Sequence, residues 1–457
     1  MPLTLENVSH AVRETQYAVR GAIVARAAEL ERQGRRIIYC NIGNPQSLGQ
    51  RPLTFVRQVL ALAEYPELLD GPAAAAVPED ARAAARLALR ESPHGLGAYT
   101  ESKGYRFVRE AVAGFIRERD GIPADPEHVF LTDGASKGVQ SVLRLLVDGP
   151  SDGVMIPIPQ YPLYSASITL LGGTQVSYYL DERKDWSLSL AALETARAEA
   201  AARGIRVRAI AVINPGNPTG AVLDAGNVEM VLDFARRHSL SVLADEVYQE
   251  NLYRQGDRFV SFASVLTRRG ILDVPLWSFH SVSKGFLGEC GHRGGYLECR
   301  NVPPDVMGEV EKLQSVALCA NSAGQLVTWI MVRPPRAGDA SFPLFDRERR
   351  AVLDSLKRRA AMLEKGLNGI PGIQCNALTG AMYAFPRITL PPGTTDAQYC
   401  LALLEETGIC VVPGSGFGQL PGTWHFRTTI LPPEAEIETV VRKLGEFHAA
   451  FTRARGG

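Results

Sequence analysis

The chain has 457 residues, with 49 basic and 49 acidic side chains, and 46% of its residues are apolar. That length is enough for two domains with sizeable cores, and the even charge balance gives no electrostatic support for a nucleic-acid or membrane-surface partner. The seven cysteines form no CxxC pair and no Cys/His cluster at zinc-ligand spacing, which predicts reduced thiols and no metal site.

The N-terminal sequence, MPLTLENVSHAVRETQYAVRG, carries acidic residues and has no apolar core region of the kind found in signal peptides. We therefore expect neither a secretory signal nor an organellar presequence. The apolar runs elsewhere are far shorter than the ~20 residues that a membrane-spanning helix needs. Together these features predict a cytoplasmic globular protein that does not contact a membrane.

In chain order, a helix is predicted at 11–33 and a short strand at IIYCNIG, after which apolar runs alternate with helical patterns. Strands are predicted at 128–132, 153–159, 174–180, 207–213, 240–244, 276–280 and 293–299. Helices are predicted at 137–147, 190–203 and 227–239. This order predicts an α/β fold whose mostly parallel sheet is covered by helices on both faces.

The C-terminal part of the chain has a different pattern, and the proline-rich segment RPPRAGDASFP precedes it. A long charged helix is predicted at 346–367, followed by short strands at 382–388 and 424–430 and a last helix at 433–453. We therefore predict a large domain at 66–340, a smaller α+β domain at 341–457, and a segment at 1–65 that forms an N-terminal arm and part of the small domain.

In open α/β sheets, ligands bind at the carboxyl ends of the strands, and the unusual residues of this chain follow predicted strands. DGASKG (133–138) opens a helix, where backbone N–H groups and the Ser136 hydroxyl suit a phosphate, although a simple helix N-cap has the same sequence. NPGNPTG (214–220) is stiffened by two prolines, so Asn217 is a well-positioned donor. The chain has no P-loop and no dinucleotide-binding fingerprint.

Ionisable residues follow two further strands. Asp245, in DEVY, directly follows an apolar strand, so it needs a cationic partner unless water reaches it. Tyr248 reaches the same site if the turn is helical. In FHSVSKGFLGECGHRGGY, Lys284 lies among small residues, where a desolvated amine can act as a nucleophile and form a Schiff base. Ser281 and Arg293 beside it are suited to holding a phosphate.

Two candidate residues have an ordinary structural explanation as well as a functional one. Arg427, in the strand WHFRTTI, is either an edge-strand charge or a bidentate clamp for a carboxylate. Tyr161, in PQYPLY, is either a core aromatic or a ring that stacks on a planar cofactor. A nucleophilic lysine, phosphate-binding groups and an acid able to pair with a pyridinium nitrogen are together what pyridoxal 5′-phosphate (PLP) requires. The sequence therefore predicts a PLP-dependent enzyme.

Longer blocks of the sequence resemble the alanine aminotransferases, which are class I/II aminotransferases of PLP fold type I. The resemblance extends from about residue 10 to the C-terminus, and its more specific parts are SKGFLGECGHRGGY and GICVVPGSGFGQ. The other blocks that carry it are GRRIIYCNIGNPQSLGQRPLTFVRQVLAL, LGAYTESKG, PIPQYPLYSA, INPGNPTG and LADEVYQ.

The resemblance implies a role for each candidate residue. Lys284 would carry PLP and then move a proton between substrate and cofactor, and Asp245 would pair with the pyridinium nitrogen. Tyr248 and Asn217 would hydrogen-bond the ring O3′. Arg427 would bind the substrate α-carboxylate, with the backbone near Gly43 and with Asn217. The remaining ring and phosphate contacts would come from Tyr161, Ala135, Ser136, Ser281, Arg293 and Tyr99 of the partner subunit.

The same resemblance implies a homodimer that transfers the amino group of L-alanine to 2-oxoglutarate by a ping-pong mechanism, giving pyruvate and L-glutamate. Glutamate:glyoxylate transamination and aminocyclopropane-carboxylate synthesis use the same residues and stay open as alternatives. A non-catalytic regulator on this scaffold would lack Lys284, Asp245 or Arg427, or would carry a DNA-binding segment, and neither is the case in this sequence.

Overall fold

A computed structural model describes residues 2–455 of the chain. Its strands are β1 (Ile38–Tyr39), β2 (Val129–Thr132), β3 (Asp152–Ile158), β4 (Thr174–Tyr179), β5 (Arg206–Ile213), β6 (Ser241–Asp245), β7 (Leu276–Ser281), β8 (Gly295–Arg300), β9 (Ile373–Gln374), β10 (Tyr383–Ala384), β11 (Arg387–Ile388), β12 (Ile409–Cys410), β13 (Val412–Pro413) and β14 (Phe426–Thr429). Its α-helices are α1 (His10–Glu14), α2 (Ala22–Arg32), α3 (Thr54–Glu64), α4 (Glu79–Glu91), α5 (Arg106–Asp120), α6 (Ala135–Leu146), α7 (Pro162–Leu170), α8 (Leu190–Ala202), α9 (Ala225–Arg237), α10 (Phe262–Arg268), α11 (Pro304–Val316), α12 (Ser322–Val332), α13 (Phe342–Asn368), α14 (Asp396–Thr407) and α15 (Glu434–Ala454).

A seven-stranded sheet forms the centre of the fold, with the strand order β2-β8-β7-β6-β5-β3-β4. The neighbours from β7 to β4 are parallel, and β8 runs antiparallel to both β7 and β2. The prediction of a mostly parallel α/β sheet is therefore confirmed, and the predicted strands of the middle region coincide with β2 to β8. Such strands read as nearly continuous apolar runs because a parallel sheet is buried on both faces.

Two large apolar clusters cover the two faces of this sheet. Along β6, Val242 and Ala244 belong to one cluster and Leu243 belongs to the other, as the alternation of side chains along a strand requires. Helices α3, α5, α9 and α12 supply residues to the first cluster. Helices α6, α7, α13 and α15 supply residues to the second.

Three small strand groups lie outside the central sheet. β1 pairs with β12, β11 pairs with β9, and β14 lies between β10 and β13. The strand predicted at IIYCNIG thus exists as β1, and it joins its parallel partner β12 from the far end of the chain. This pairing places the residues that follow β1 beside β14.

The single helix predicted at 11–33 is wrong, because the chain breaks between α1 and α2. Gly21 is the N-cap of α2 and has an extended conformation, with φ of −82° and ψ of −165°. In the break, the hydroxyl of Tyr17 lies 2.9 Å from the hydroxyl of Tyr161. Periodicity within the segment could not reveal a break that coincides with a contact to a distant residue.

Within residues 2–455, no helix is long and apolar enough to cross a membrane. In the same part of the chain, no group of three or more His, Cys, Asp and Glu side chains is placed to hold a metal ion. Cysteines 40, 290, 299, 319, 375, 400 and 410 are free thiols.

Candidate active site

The residues singled out in the sequence converge where three neighbouring parallel strands end. β5 ends at Ile213 and leads into the loop that carries Asn217, and β6 ends at Asp245 itself. β7 ends at Ser281, shortly before Lys284. Because parallel strands present their carboxyl ends at the same edge, these side chains lie around one crevice, as the strand order predicts.

Asp245 is a buried carboxylate at the end of β6. The Tyr164 hydroxyl donates a hydrogen bond to Oδ2 over 3.2 Å, whereas Oδ1 has no partner among the described residues. Burial raises the pKa of Asp245 to about 6, against the opposing effects of the Tyr164 hydrogen bond, the Val247 backbone N–H and the charge of Lys284. Oδ1 is therefore available to a cationic or N–H group of a ligand, which would favour the ionised carboxylate.

Lys284 is half-buried and its amine faces the crevice. Its Nζ donates a hydrogen bond to the carbonyl oxygen of Gly43 over 2.6 Å and lies 5.7 Å from the centre of the Tyr248 ring. The turn that carries the lysine is fixed by Asn251, whose Oδ1 accepts a hydrogen bond from the backbone N–H of Gly285 over 3.0 Å. The small residues around Lys284 thus bring its amine against the backbone of a segment more than two hundred residues earlier.

The turn before α6 and the side chain of Arg293 form a cradle for an anion. Gly134 has a φ of 78°, and a Cβ at this position would overlap the Arg293 guanidinium. Arg293 donates a hydrogen bond to the carbonyl oxygen of Asp133 over 3.0 Å. Ala135 and Ser136 begin α6, where backbone N–H groups have no acceptor within the helix and favour negative charge.

Ser281 connects this cradle to the end of β7. Its Oγ accepts a hydrogen bond from the backbone N–H of Ser283 over 3.0 Å, and the Ser283 hydroxyl in turn lies 3.5 Å from Nη1 of Arg293. As an acceptor in this bond, Ser281 keeps its hydroxyl proton available for another acceptor. The phosphate-binding set predicted from the sequence is therefore brought together from α6, β7 and the turn before β8.

Arg427 is buried on β14, with only 1% of its surface exposed. Its Nη2 donates to the carbonyl oxygen of Asn41 over 2.7 Å and its Nη1 to Oδ1 of Asn217 over 3.3 Å. Its guanidinium carbon lies over the rings of Tyr383 and Phe417, at 4.3 Å and 4.7 Å from their centres. These contacts within residues 2–455 are neutral, so a ligand carboxylate would supply the charge that a buried guanidinium requires.

Tyr383 is a site residue that the sequence reasoning missed. Its hydroxyl accepts a hydrogen bond from Tyr248 over 3.5 Å, and a Cβ at Gly43 would overlap this hydroxyl. Burial raises the pKa of Tyr383, but the charges of Lys284 and Arg427 outweigh it and leave the pKa below the ordinary value. The only available signal was an aromatic residue in the strand predicted at 382–388, which is also typical of core packing. Tyr164 was missed for the same reason.

Two further aromatic residues lie in different surroundings. Tyr161 precedes α7 and packs edge-to-face on Tyr17, with ring centres 6.5 Å apart. Burial raises the pKa of Tyr161 well above its ordinary value. Tyr99 is 78% exposed on the single chain. The stacking predicted for Tyr161 and the partner-subunit contact predicted for Tyr99 stay predictions.

The fold and the crevice together define the class of protein. Residues 62–444 match the family Aminotransferase class I and II, and the chain therefore belongs to this family of PLP-dependent enzymes. A solved structure of an alanine aminotransferase from Pyrococcus furiosus has the same fold, with a TM-score of 0.80 and 27% identity over 97% of this chain and 100% of that chain.

Two relatives are similar over nearly the whole chain. The probable mitochondrial alanine aminotransferase of Dictyostelium discoideum is 49% identical, over 98% of this chain and 89% of its own length. The glutamate–glyoxylate aminotransferase 1 of Arabidopsis thaliana is 48% identical, over 98% of this chain and 96% of its own length. Overall similarity therefore identifies the family, and the substrate pair requires a separate argument.

The crevice fits the cofactor of this family. The unpartnered Oδ1 of buried Asp245 is suited to a protonated ring nitrogen, and the amine of Lys284 is suited to an aldehyde. The cradle of Gly134 and Arg293 is suited to a phosphate, since a side chain at Gly134 would occupy it. These three parts match three chemically different parts of PLP.

Proposed function

We propose that this protein is an alanine aminotransferase, which reversibly transfers the amino group of L-alanine to 2-oxoglutarate and gives pyruvate and L-glutamate. The observation that carries the proposal is the position of the Lys284 amine in one crevice with the unpartnered oxygen of Asp245 and the guanidinium of Arg427. The alanine aminotransferase of Dictyostelium discoideum, at 49% identity, supports alanine as the amino donor.

Bound PLP supplies a ring that withdraws electrons from the substrate α-carbon. Asp245 holds the proton on the ring nitrogen through its free Oδ1, and Tyr164 keeps this carboxylate in place from the other side. Lys284 would hold the cofactor and would then move the proton of the substrate α-carbon to the cofactor. Tyr248 and Asn217 hydrogen-bond the ring oxygen.

One group of residues would bind the phosphate of the cofactor, and another would bind the α-carboxylate of the substrate. We assign the phosphate to the cradle of Arg293. Ser281, Ala135, Ser136 and Tyr99 of the partner subunit would complete this cradle. Tyr161 would stack on the cofactor ring. The substrate α-carboxylate binds Arg427, with the Asn217 amide and the backbone at Gly43. Since every amino acid and 2-oxo acid has this carboxylate, one clamp serves both halves of a ping-pong cycle.

Three further features belong to the proposal. The protein works as a homodimer with active sites at the subunit interface, which is consistent with the exposed ring of Tyr99. It consists of an N-terminal segment at 1–65, a large domain at 66–340 and a small domain at 341–457. We also propose a cytoplasmic location, whereas the Dictyostelium relative is named as mitochondrial.

Glutamate:glyoxylate transamination is the second candidate function. It is favoured by the 48% identity to a glutamate–glyoxylate aminotransferase over almost the whole chain. The residues described above would serve it equally, because they contact the parts that all these substrates share.

A substrate panel on the PLP-loaded protein separates these functions. L-alanine should abolish the visible absorbance of the bound cofactor, 2-oxoglutarate should restore it, and pyruvate and glutamate should accumulate in turnover. Lys284→Ala should show neither change. If L-alanine leaves the absorbance unchanged while glutamate with glyoxylate turns over, the second function is correct. If no amino acid changes the absorbance, the protein is not an aminotransferase.

A further inference from the structure

Tyr383 lies between the two cationic side chains of the crevice. It is buried, and the Arg427 guanidinium lies over its ring at 4.3 Å. Its hydroxyl occupies the position that a Cβ of Gly43 would take, and Nζ of Lys284 lies 3.1 Å from that same position. The phenol of Tyr383 therefore lies close to both the Lys284 amine and the Arg427 guanidinium.

The hydroxyl of Tyr383 has a proton to donate into this space. Tyr248 donates to its oxygen over 3.5 Å. When Tyr248 donates to the ring oxygen of PLP instead, the proton of Tyr383 is still available to another acceptor. The charges of Lys284 and Arg427 both act on this hydroxyl, and these two side chains can only donate. A phenol proton beside a buried guanidinium is complementary to an anion.

We infer that Tyr383 is a substrate-binding residue, whose hydroxyl donates a hydrogen bond to the α-carboxylate held by Arg427. The inference rests on the proposed function only in that it takes the substrate to be an amino acid or a 2-oxo acid. The ring supports the guanidinium and the hydroxyl adds a donor of its own. Gly43 is then required because any side chain there would displace this hydroxyl.

The inference makes a prediction that does not depend on the substrate side chain. Because the α-carboxylate is common to alanine, glutamate, pyruvate and 2-oxoglutarate, loss of the hydroxyl should weaken the binding of all four alike. The preference of the enzyme among amino acids should therefore stay unchanged. An equal loss for all four substrates would distinguish Tyr383 from a residue that recognises the substrate side chain.

Tyr383→Phe tests the inference, because it keeps the ring and removes only the hydroxyl. The probes are propionate and glutarate, which carry the carboxylates of the substrates and cannot react. Titration calorimetry on the PLP-loaded enzyme should give a Kd about tenfold higher for both probes, the effect expected of one hydrogen bond to a charged group. KM should rise by a similar factor, with kcat changed less.

Tyr399→Phe is the matched control, since Tyr399 is a buried tyrosine whose hydroxyl contacts His448 outside the crevice.

Two results would overturn the inference. One is an unchanged Kd for both probes, and the other is a fall in kcat alone, which would assign the hydroxyl to Lys284 or Tyr248 instead. Failure of the proposed function is a different result, namely that the wild-type enzyme makes no pyruvate from alanine while the probes still bind.

Gly43→Ala provides a second, independent variant. Its Cβ would push the hydroxyl of Tyr383 aside while the tyrosine itself is retained. It should weaken the binding of both probes. Adding Tyr383→Phe to Gly43→Ala should then raise the Kd by less than Tyr383→Phe does alone, because the contact of the Tyr383 hydroxyl is already lost. Fully additive effects would contradict the inference.

Discussion

Asp245 and Glu246 are adjacent buried carboxylates with different partners. We therefore predict different effects on kcat when each carboxylate is replaced by the corresponding amide. Asp245 has an oxygen free for the cofactor, whereas Oε1 of Glu246 accepts a hydrogen bond from the backbone N–H of Phe262 over 2.9 Å. Asp245→Asn should lower kcat by about 10²-fold or more, since an amide cannot hold the ring nitrogen protonated. Glu246→Gln should leave kcat within a few-fold of wild type. Steady-state rates for both variants, at equal cofactor occupancy, provide the check.

Glu246 also predicts how the stability of the protein depends on pH. Burial raises its pKa from 4.5 to about 8, and the charge of Arg119 opposes this only in part. Between these two values the folded protein holds a proton that the unfolded chain has released, so this residue lowers stability as pH rises from about 4.5 to 8. Each pKa unit corresponds to about 1.4 kcal/mol.

Glu246→Gln should therefore raise the Tm at pH 8.5 and leave it nearly unchanged at pH 4.5. Thermal unfolding of the two proteins across this range is the measurement. The exposed Glu118, which pairs with Arg336 over 2.6 Å, supplies the control, because Glu118→Gln should have little effect at either pH. A uniform shift of Tm by Glu246→Gln at both pH values would mean that ionisation of Glu246 is not the cause.

At the scale of elements, the start of α6 is built around a glycine. Gly134 combines a φ of 78° with direct proximity to the Arg293 guanidinium. Gly134→Ala should therefore weaken PLP binding by about tenfold or more, because Cβ would both strain the backbone and displace a phosphate-binding side chain. The Kd of PLP for the cofactor-free protein, measured by absorbance titration, tests this.

Gly121→Ala is the matched control for this element. Gly121 caps the C-terminal end of α5 with a φ of 66°. Apart from its chain neighbours, no atom of residues 2–455 would lie within 4 Å of a Cβ there. Both substitutions should cost about 1 kcal/mol of stability through backbone strain, yet only Gly134→Ala should change the Kd of PLP. If both variants weaken PLP binding equally, the effect is general destabilisation and the cradle is not responsible.

At the scale of the whole molecule, the proposed dimer predicts complementation between two inactive chains. If Tyr99 of the partner subunit completes each active site, a mixed dimer of Lys284→Ala and Tyr99→Ala chains has one intact site. Random reassembly of equal amounts should then restore about a quarter of the wild-type activity from two inactive parents. Activity of co-expressed chains carrying different affinity tags is the measurement. No recovery in the purified mixed dimer would show that Tyr99 acts within its own chain, and an active Tyr99→Ala parent would show that it has no role.

Much of the architecture could be predicted because it depends on local pattern. The inner parallel strands β3, β5, β6 and β7 are short apolar runs between turns, and burial on both faces of a parallel sheet requires that composition. The edge strand β4 alternates between exposed and buried residues instead. The helix break near Gly21 could not be predicted, since it coincides with a contact between Tyr17 and Tyr161 that belongs to another part of the chain.

The sequence by itself determined the α/β sheet and drew attention to Lys284, Asp245 and Arg427, because a lysine among small residues, a carboxylate directly after an apolar strand and a lone arginine within a strand are all unusual. Only the tertiary structure decided which neighbours complete them. Tyr383 and Tyr164 resemble core aromatics in the sequence, and their roles arise from distances to residues far away in the chain. The chemistry of each side chain is known from the sequence, whereas the distances between side chains depend on how distant segments pack. The contact between the Gly43 backbone and Lys284 is an example.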